Sequence, residues 1–115
     1  MDIYFKSINH KQDFYYLMQL LGLQTIDDNI EYSVFAYVIA GSGKAEQLAP
    51  LIEKNNIEFF DIYEKMKVFS DSENNIIHFA EQCFNGNSVI PLDDVMRPLN
   101  KQNRDMIKQA IAMRY

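Results

Sequence analysis

"NIEYSVFAYVIA", Asn29 to Ala40, is the stretch on which the fold turns. Past Glu31 it carries no charge, and apolar residues fall on nearly every side of a helical wheel. Asp28 with Glu31 three residues later has the form of a capping box that opens a helix, and Gly41 supplies the stop. A helix that is apolar all round has no face for water, so the spacing predicts one buried in the middle of a bundle. At this length it cannot span a bilayer, which takes about 20 apolar residues.

The flanking segments read as the helices that cover it. Asn9 with Gln12 forms a second box, opening a helix that runs to about Leu21 and stops at Gly22; Phe14, Leu17, Met18 and Leu21 share one face. "SGKAEQLAPLIEK" predicts a short helix broken or restarted at Pro50, whose ring clashes with the preceding turn. In "IEFFDIYEKMKVF" the residues Phe59, Ile62, Tyr63 and Met66 lie on one side and Glu58, Asp61 and Glu64 on the other. That pattern is an amphipathic helix, with a strand as the alternative after Lys65. Ser70 or Ser72 caps a further helix that ends near Asn85-Gly86. "NSVIPLDDVMRPL" holds two prolines and reads as a loop with a single helical turn. Asn100 with Asn103 precedes a last helix whose core face is Met106, Ile107, Ala110 and Met113. The expectation is an all-α, compact irregular bundle of five or six helices, forming a single domain over residues 1–115.

Composition agrees. The 115 residues suffice for one core, and 48% hydrophobic with 13% aromatic residues excludes global disorder. A lone cysteine, Cys83, precludes an internal disulfide, and "MDIYFKSINH" has no basic start followed by a long apolar run. Together they predict a soluble, cytoplasmic protein with no membrane partner.

Little in the chain advertises chemistry. Cys83 and His78 are five residues apart, which separates them by about 140° on a helix, whereas ligands or a nucleophilic pair on one helix need spacings of three or four. Cys83 falls within the apolar arc of Ile76, Ile77, Phe79, Ala80 and Phe84 and is expected to be buried; His78 falls on the opposite, solvent side. "GSGKA", Gly41 to Ala45, approaches a phosphate loop but has Val38 where the pattern needs glycine and Ala45 where it needs Ser or Thr. It reads as a helix stop and turn. His10, in a first turn beside an apolar stripe, is expected to pack or cap. Asp27-Asp28 and Asp93-Asp94 are explained by helix N-termini and lack the alternating spacing of a calcium loop. No catalytic residue, cofactor site or metal site is expected.

Charge is the remaining signal. The net charge is −5, with eight acids against two lysines between Asp27 and Glu64. An acidic chain is poorly suited to broad nucleic-acid binding. Two surfaces stand out as partner-binding candidates: a basic ridge of Lys101, Arg104 and Lys108 on the last helix, and the acidic face of Glu58, Asp61 and Glu64. Pairing between the ridge of one copy and the acidic middle of another would give a homo-oligomer.

The chain also resembles a family of small proteins of unknown function found in low-GC Gram-positive bacteria, their prophages and other mobile elements. The residues that carry the resemblance are Phe5, Ser7 and His10 with the helix after them; Ser70 followed by "FAEQCFNG", Phe79 to Gly86; and "NRDMIKQAIAMR", Asn103 to Arg114. The resemblance implies no activity, cofactor or catalytic residue. It implies a mobile-element setting, in which small acidic proteins act by binding and inhibiting host machinery such as CRISPR effectors. The leading expectation is therefore a non-enzymatic interaction module directed at a host protein. The alternatives are a small enzyme or ligand-binding domain using His10 and acidic residues, and a nucleic-acid-binding accessory protein using the terminal ridge.

Overall fold

Every residue from Ser33 to Gly41 is buried, so the apolar stretch is the axle of the molecule. The computed structural model describes residues 2–115. Among them are seven α-helices: α1 (Ile8–Leu20), α2 (Ile30–Gly41), α3 (Ala45–Leu48), α4 (Phe59–Met66), α5 (Asp71–Asn85), α6 (Leu92–Met96) and α7 (Lys101–Arg114). Helix α2 packs against α1, α5 and α7, which between them leave it no face to water. Val34, Phe35, Val38 and Ile39 are fully enclosed there, and each such burial contributes about 1.5–3 kcal/mol. The fold is the mostly helical bundle the spacing predicts.

The helix ends show which local rules won. Helix α1 is capped by Ser7, whose Oγ accepts the His10 N–H at 3.0 Å, and not by Asn9. Asn29, rather than Asp28, caps α2 by accepting the Tyr32 N–H at 3.1 Å. The Asp28 carboxylate is already engaged one turn earlier, accepting the N–H groups of Gln24 and Thr25 around a short 3-10 turn, Ile26–Asp28. Ser70 and Glu73 form the capping box of α5, which ends at Gly86 in a left-handed conformation with φ 72°. Asn100 caps α7, whose buried residues are Met106, Ile107, Ala110 and Met113 as expected.

One feature falls outside the sequence expectation. Pro50 does interrupt the α3 segment, but the chain then forms a minimal antiparallel hairpin, Ile52–Glu53 (β1) with Asn56–Ile57 (β2), turning through Asn55 at φ 68°. No strand follows Lys65; α4 ends at Met66 and the chain turns into α5. Helix α7 lies so close to α2 that a Cβ on Gly41 would stand 2.8 Å from Sδ and Cε of Met106. The N-terminal segment is bonded to both. Tyr4 N–H donates to Gln109 Oε1 at 2.9 Å and Lys6 Nζ donates to Asn103 Oδ1 at 2.8 Å, while the Tyr37 hydroxyl donates to the Tyr4 carbonyl.

Candidate interaction surface

Helices α4 and α5 meet at a shallow cleft whose chemistry comes from a polar stripe on α5. Asn74, His78 and Glu81 are spaced i, i+4, i+7, which stacks their side chains on one face. That face looks toward α4. Tyr63 donates its hydroxyl to Glu81 Oε1, and its ring lies 6.2 Å from that of His78. Asn74 Nδ2 donates to the Met66 carbonyl at 2.9 Å and so satisfies the C-terminal end of α4. His78 Nδ1 is 3.0 Å from Ser88 Oγ, and Ile90 N–H donates to Gln82 Oε1, so the loop after α5 folds back along the helix. The resulting cleft, of about 250 Å³, is lined by Tyr63, Met66, Lys67, Asn74 and His78.

His78 is therefore half-buried and not on an open solvent face. The wheel placed it correctly opposite the core stripe, but the loop covering that side belongs to another part of the chain. Burial, reinforced by the adjacent Glu81 carboxylate, pushes the Tyr63 phenol up to about 12, so it remains a donor across the neutral range. Glu81 itself is buried, a costly place for a carboxylate, and the Tyr63 hydroxyl offsets part of that cost.

Exposed apolar side chains lie on the same two segments that form the cleft, α4 and the loop after α5. Phe60 is 73% exposed on the α4 face that also carries Asp61 and Glu64, and Val89, next to Ser88, is 83% exposed. The acidic candidates Glu58, Asp61 and Glu64 all lie exposed along this helix. Glu58 accepts from Asn56 Nδ2 at 2.7 Å, and Glu64 pairs with Lys67 at 2.9 Å.

The basic ridge is placed differently. Lys101, Arg104 and Lys108 are all exposed on α7, remote in sequence from the cleft. Lys101 is paired with Asp105 at 2.7 Å. Arg104 donates from Nε to the Met96 carbonyl at 2.9 Å and from Nη2 to the Arg97 carbonyl at 3.0 Å, closing the end of α6. Lys108 shares a surface hollow with Asp93, Met96, Arg97 and Arg104.

His10 is 1% exposed. Its Nε2–H donates to the Tyr37 carbonyl at 2.9 Å and its Nδ1 accepts the Lys6 N–H at 3.2 Å, so both ring nitrogens are used. Burial, with a smaller push from the Lys6 ammonium, lowers it to about 4. Cys83 is 1% exposed, and burial pushes its thiol up to about 11 despite the nearby Arg114, whose Nε donates to the Cys83 carbonyl at 2.7 Å. Among the described residues no three His, Cys, Asp or Glu side chains are grouped to hold a metal ion, and no helix is long and apolar enough to cross a membrane.

The residues that sequence reasoning missed are Asn74, Glu81 and Phe60. The signal for the first two was the i, i+4, i+7 polar spacing through His78; Phe60 had none, because one exposed aromatic is ordinary. Searches against protein-family models, curated proteins and solved structures found no match to this chain.

Proposed function

We propose that the protein is a non-enzymatic interaction module that docks a basic surface of a partner protein onto α4 and the loop following α5. The observation that carries this reading is Phe60, 73% exposed on the α4 face of Asp61 and Glu64 and one turn before Tyr63 of the cleft. An aromatic on an acidic face offers a partner an apolar anchor, and the surrounding carboxylates favour a cationic partner and speed its approach. Two further features support the reading over a catalytic one. His10 is sealed and doubly bonded, and Tyr63 and Glu81 bond each other. Lys101 and Arg104 are committed within the chain, which weighs against the ridge as a nucleic-acid grip. The mobile-element setting implied by the family resemblance makes a host defence protein, such as a CRISPR effector, the partner class to test first.

The test is capture from host lysate by immobilised wild type, Phe60→Ser and a Lys101→Glu/Arg104→Glu/Lys108→Glu triple variant, with bound proteins identified by mass spectrometry. Wild type should retain a protein, at low salt more than at high salt, that Phe60→Ser loses and the triple variant keeps. Equal retention by wild type and Phe60→Ser refutes the proposed surface. Loss only in the triple variant moves the site to α7.

A further inference from the structure

The α4–α5 cleft is short of donors. Asn74 Oδ1 is buried without a hydrogen-bond partner, the only such side-chain atom among the described residues, while the same amide's Nδ2 is fixed on Met66. Buried acceptors are seldom left unpaired, and Asn74 is one of the residues that line the cleft. His78 stands one turn away on the same face, held through Nδ1 by Ser88. With Nδ1–H donating to Ser88 Oγ, Nε2 is a second acceptor. The third element is Tyr63, whose ring is anchored at its hydroxyl by Glu81 and is 39% exposed. The one cation in the lining, Lys67, is neutralised by Glu64 at 2.9 Å.

We propose that this cleft is an arginine slot, in which a guanidinium from the docked partner stacks on Tyr63 and donates to Asn74 Oδ1 and His78 Nε2. The inference rests on the reading of this face as a docking surface for a basic protein and names the side chain that enters it. A guanidinium fits for three reasons. It is planar and lies flat on an aromatic ring, it carries five donors in a fixed fork, and it sheds water more readily than an ammonium. A lysine would bring a point charge that cannot both stack and reach two acceptors a helical turn apart. An apolar side chain would leave Asn74 Oδ1 unpaired, and an anion would meet acceptors. Asp61, exposed on the same helix, adds long-range attraction for the cation.

The probe is N-acetyl-arginine methylamide, with its lysine and citrulline counterparts, titrated into isotopically labelled protein and followed by NMR. The arginine compound should give saturable shifts of the Asn74 side-chain amide, the His78 ring and Tyr63, in the millimolar range open to a single side chain. The lysine compound should bind at least fivefold more weakly. Asn74→Leu and His78→Phe should each weaken the arginine response fivefold or more, with spectra unchanged outside α4, α5 and the Ser88 loop, where each removes a contact. Absence of saturable shifts, or equal binding of the lysine compound, overturns the slot. Phe60→Ser separates the two readings, because it removes partner capture without touching the cleft. If capture depends on Phe60 while arginine causes no shift, only the slot fails. If arginine binds while capture is indifferent to Phe60, the docking reading fails.

Discussion

Acidifying the protein should destabilise it through His10 before its carboxylates are reached. The imidazole is neutral in the native state because burial opposes its charge, and its folded value is about 4 against 6.5 for the ordinary group. Between those two values the unfolded chain binds a proton that the native state refuses, so stability rises with pH across the window and falls as pH is lowered. The contribution is fully present above about pH 7 and is gone below about pH 4. A separation of this size is worth about 3 kcal/mol over the whole window, at 1.36 kcal/mol per pH unit, and about 2 kcal/mol of it should be lost by pH 5. The measurement is urea unfolding at pH 8, 7, 6 and 5 on wild type and His10→Gln, whose amide can still donate to the Tyr37 carbonyl but does not titrate. The two proteins differ only at residue 10, so the difference between the two pH curves isolates His10. The variant should be less stable at pH 8 but flatter, with the gap narrowing by about 2 kcal/mol at pH 5. Parallel curves would show that His10 is solvated or charged in the native state and would refute the argument.

Cys83 should react with a thiol reagent only slowly in native protein and rapidly in denaturant, since burial hides the sulfur and holds it as the thiol; equal rates in both conditions would contradict that. Phe79→Ala should cost about 3 kcal/mol in chemical denaturation, because the ring is buried and the cavity left behind cannot fully collapse. Arg104→Ala should cost about 1 kcal/mol by freeing the carbonyls at the end of α6, whereas Lys108→Ala should stay within about 0.5 kcal/mol. A larger loss at Lys108 than at Arg104 would reverse the roles given to these two cations.

The fold was legible wherever one segment carried its own signal. Helix α2 declared itself through uninterrupted apolar surface, α5 through Ser70 and Gly86, and α7 through its Met106–Met113 stripe. Misplaced caps came from competition between neighbouring candidates. Asn9 with Gln12 has the more complete box signature, but Ser7 is the residue in extended conformation when the helix begins, and Asp28 was already bonded elsewhere. The hairpin at Asn55 rests on two-residue strands, too short for any alternation to register. The cleft was only half legible. Its spacing through Asn74, His78 and Glu81 is in the sequence, yet what makes it a cleft is the packing of α4 and the return of the loop at Ser88. These are contacts between segments, which a wheel drawn for one helix cannot contain.

The clasp of Tyr4 and Lys6 onto Gln109 and Asn103 has a consequence for biosynthesis. Helix α7 is the last of these elements to leave the ribosome, and until it does α2 has one side uncovered and the N-terminal segment lacks its Gln109 and Asn103 partners. The nascent chain thus emerges with its most apolar helix already made and its lid still to come. Closure joins residues about a hundred positions apart, and a pause or truncation before Asn100 would release a sticky, unfinished product for chaperones or proteases to handle.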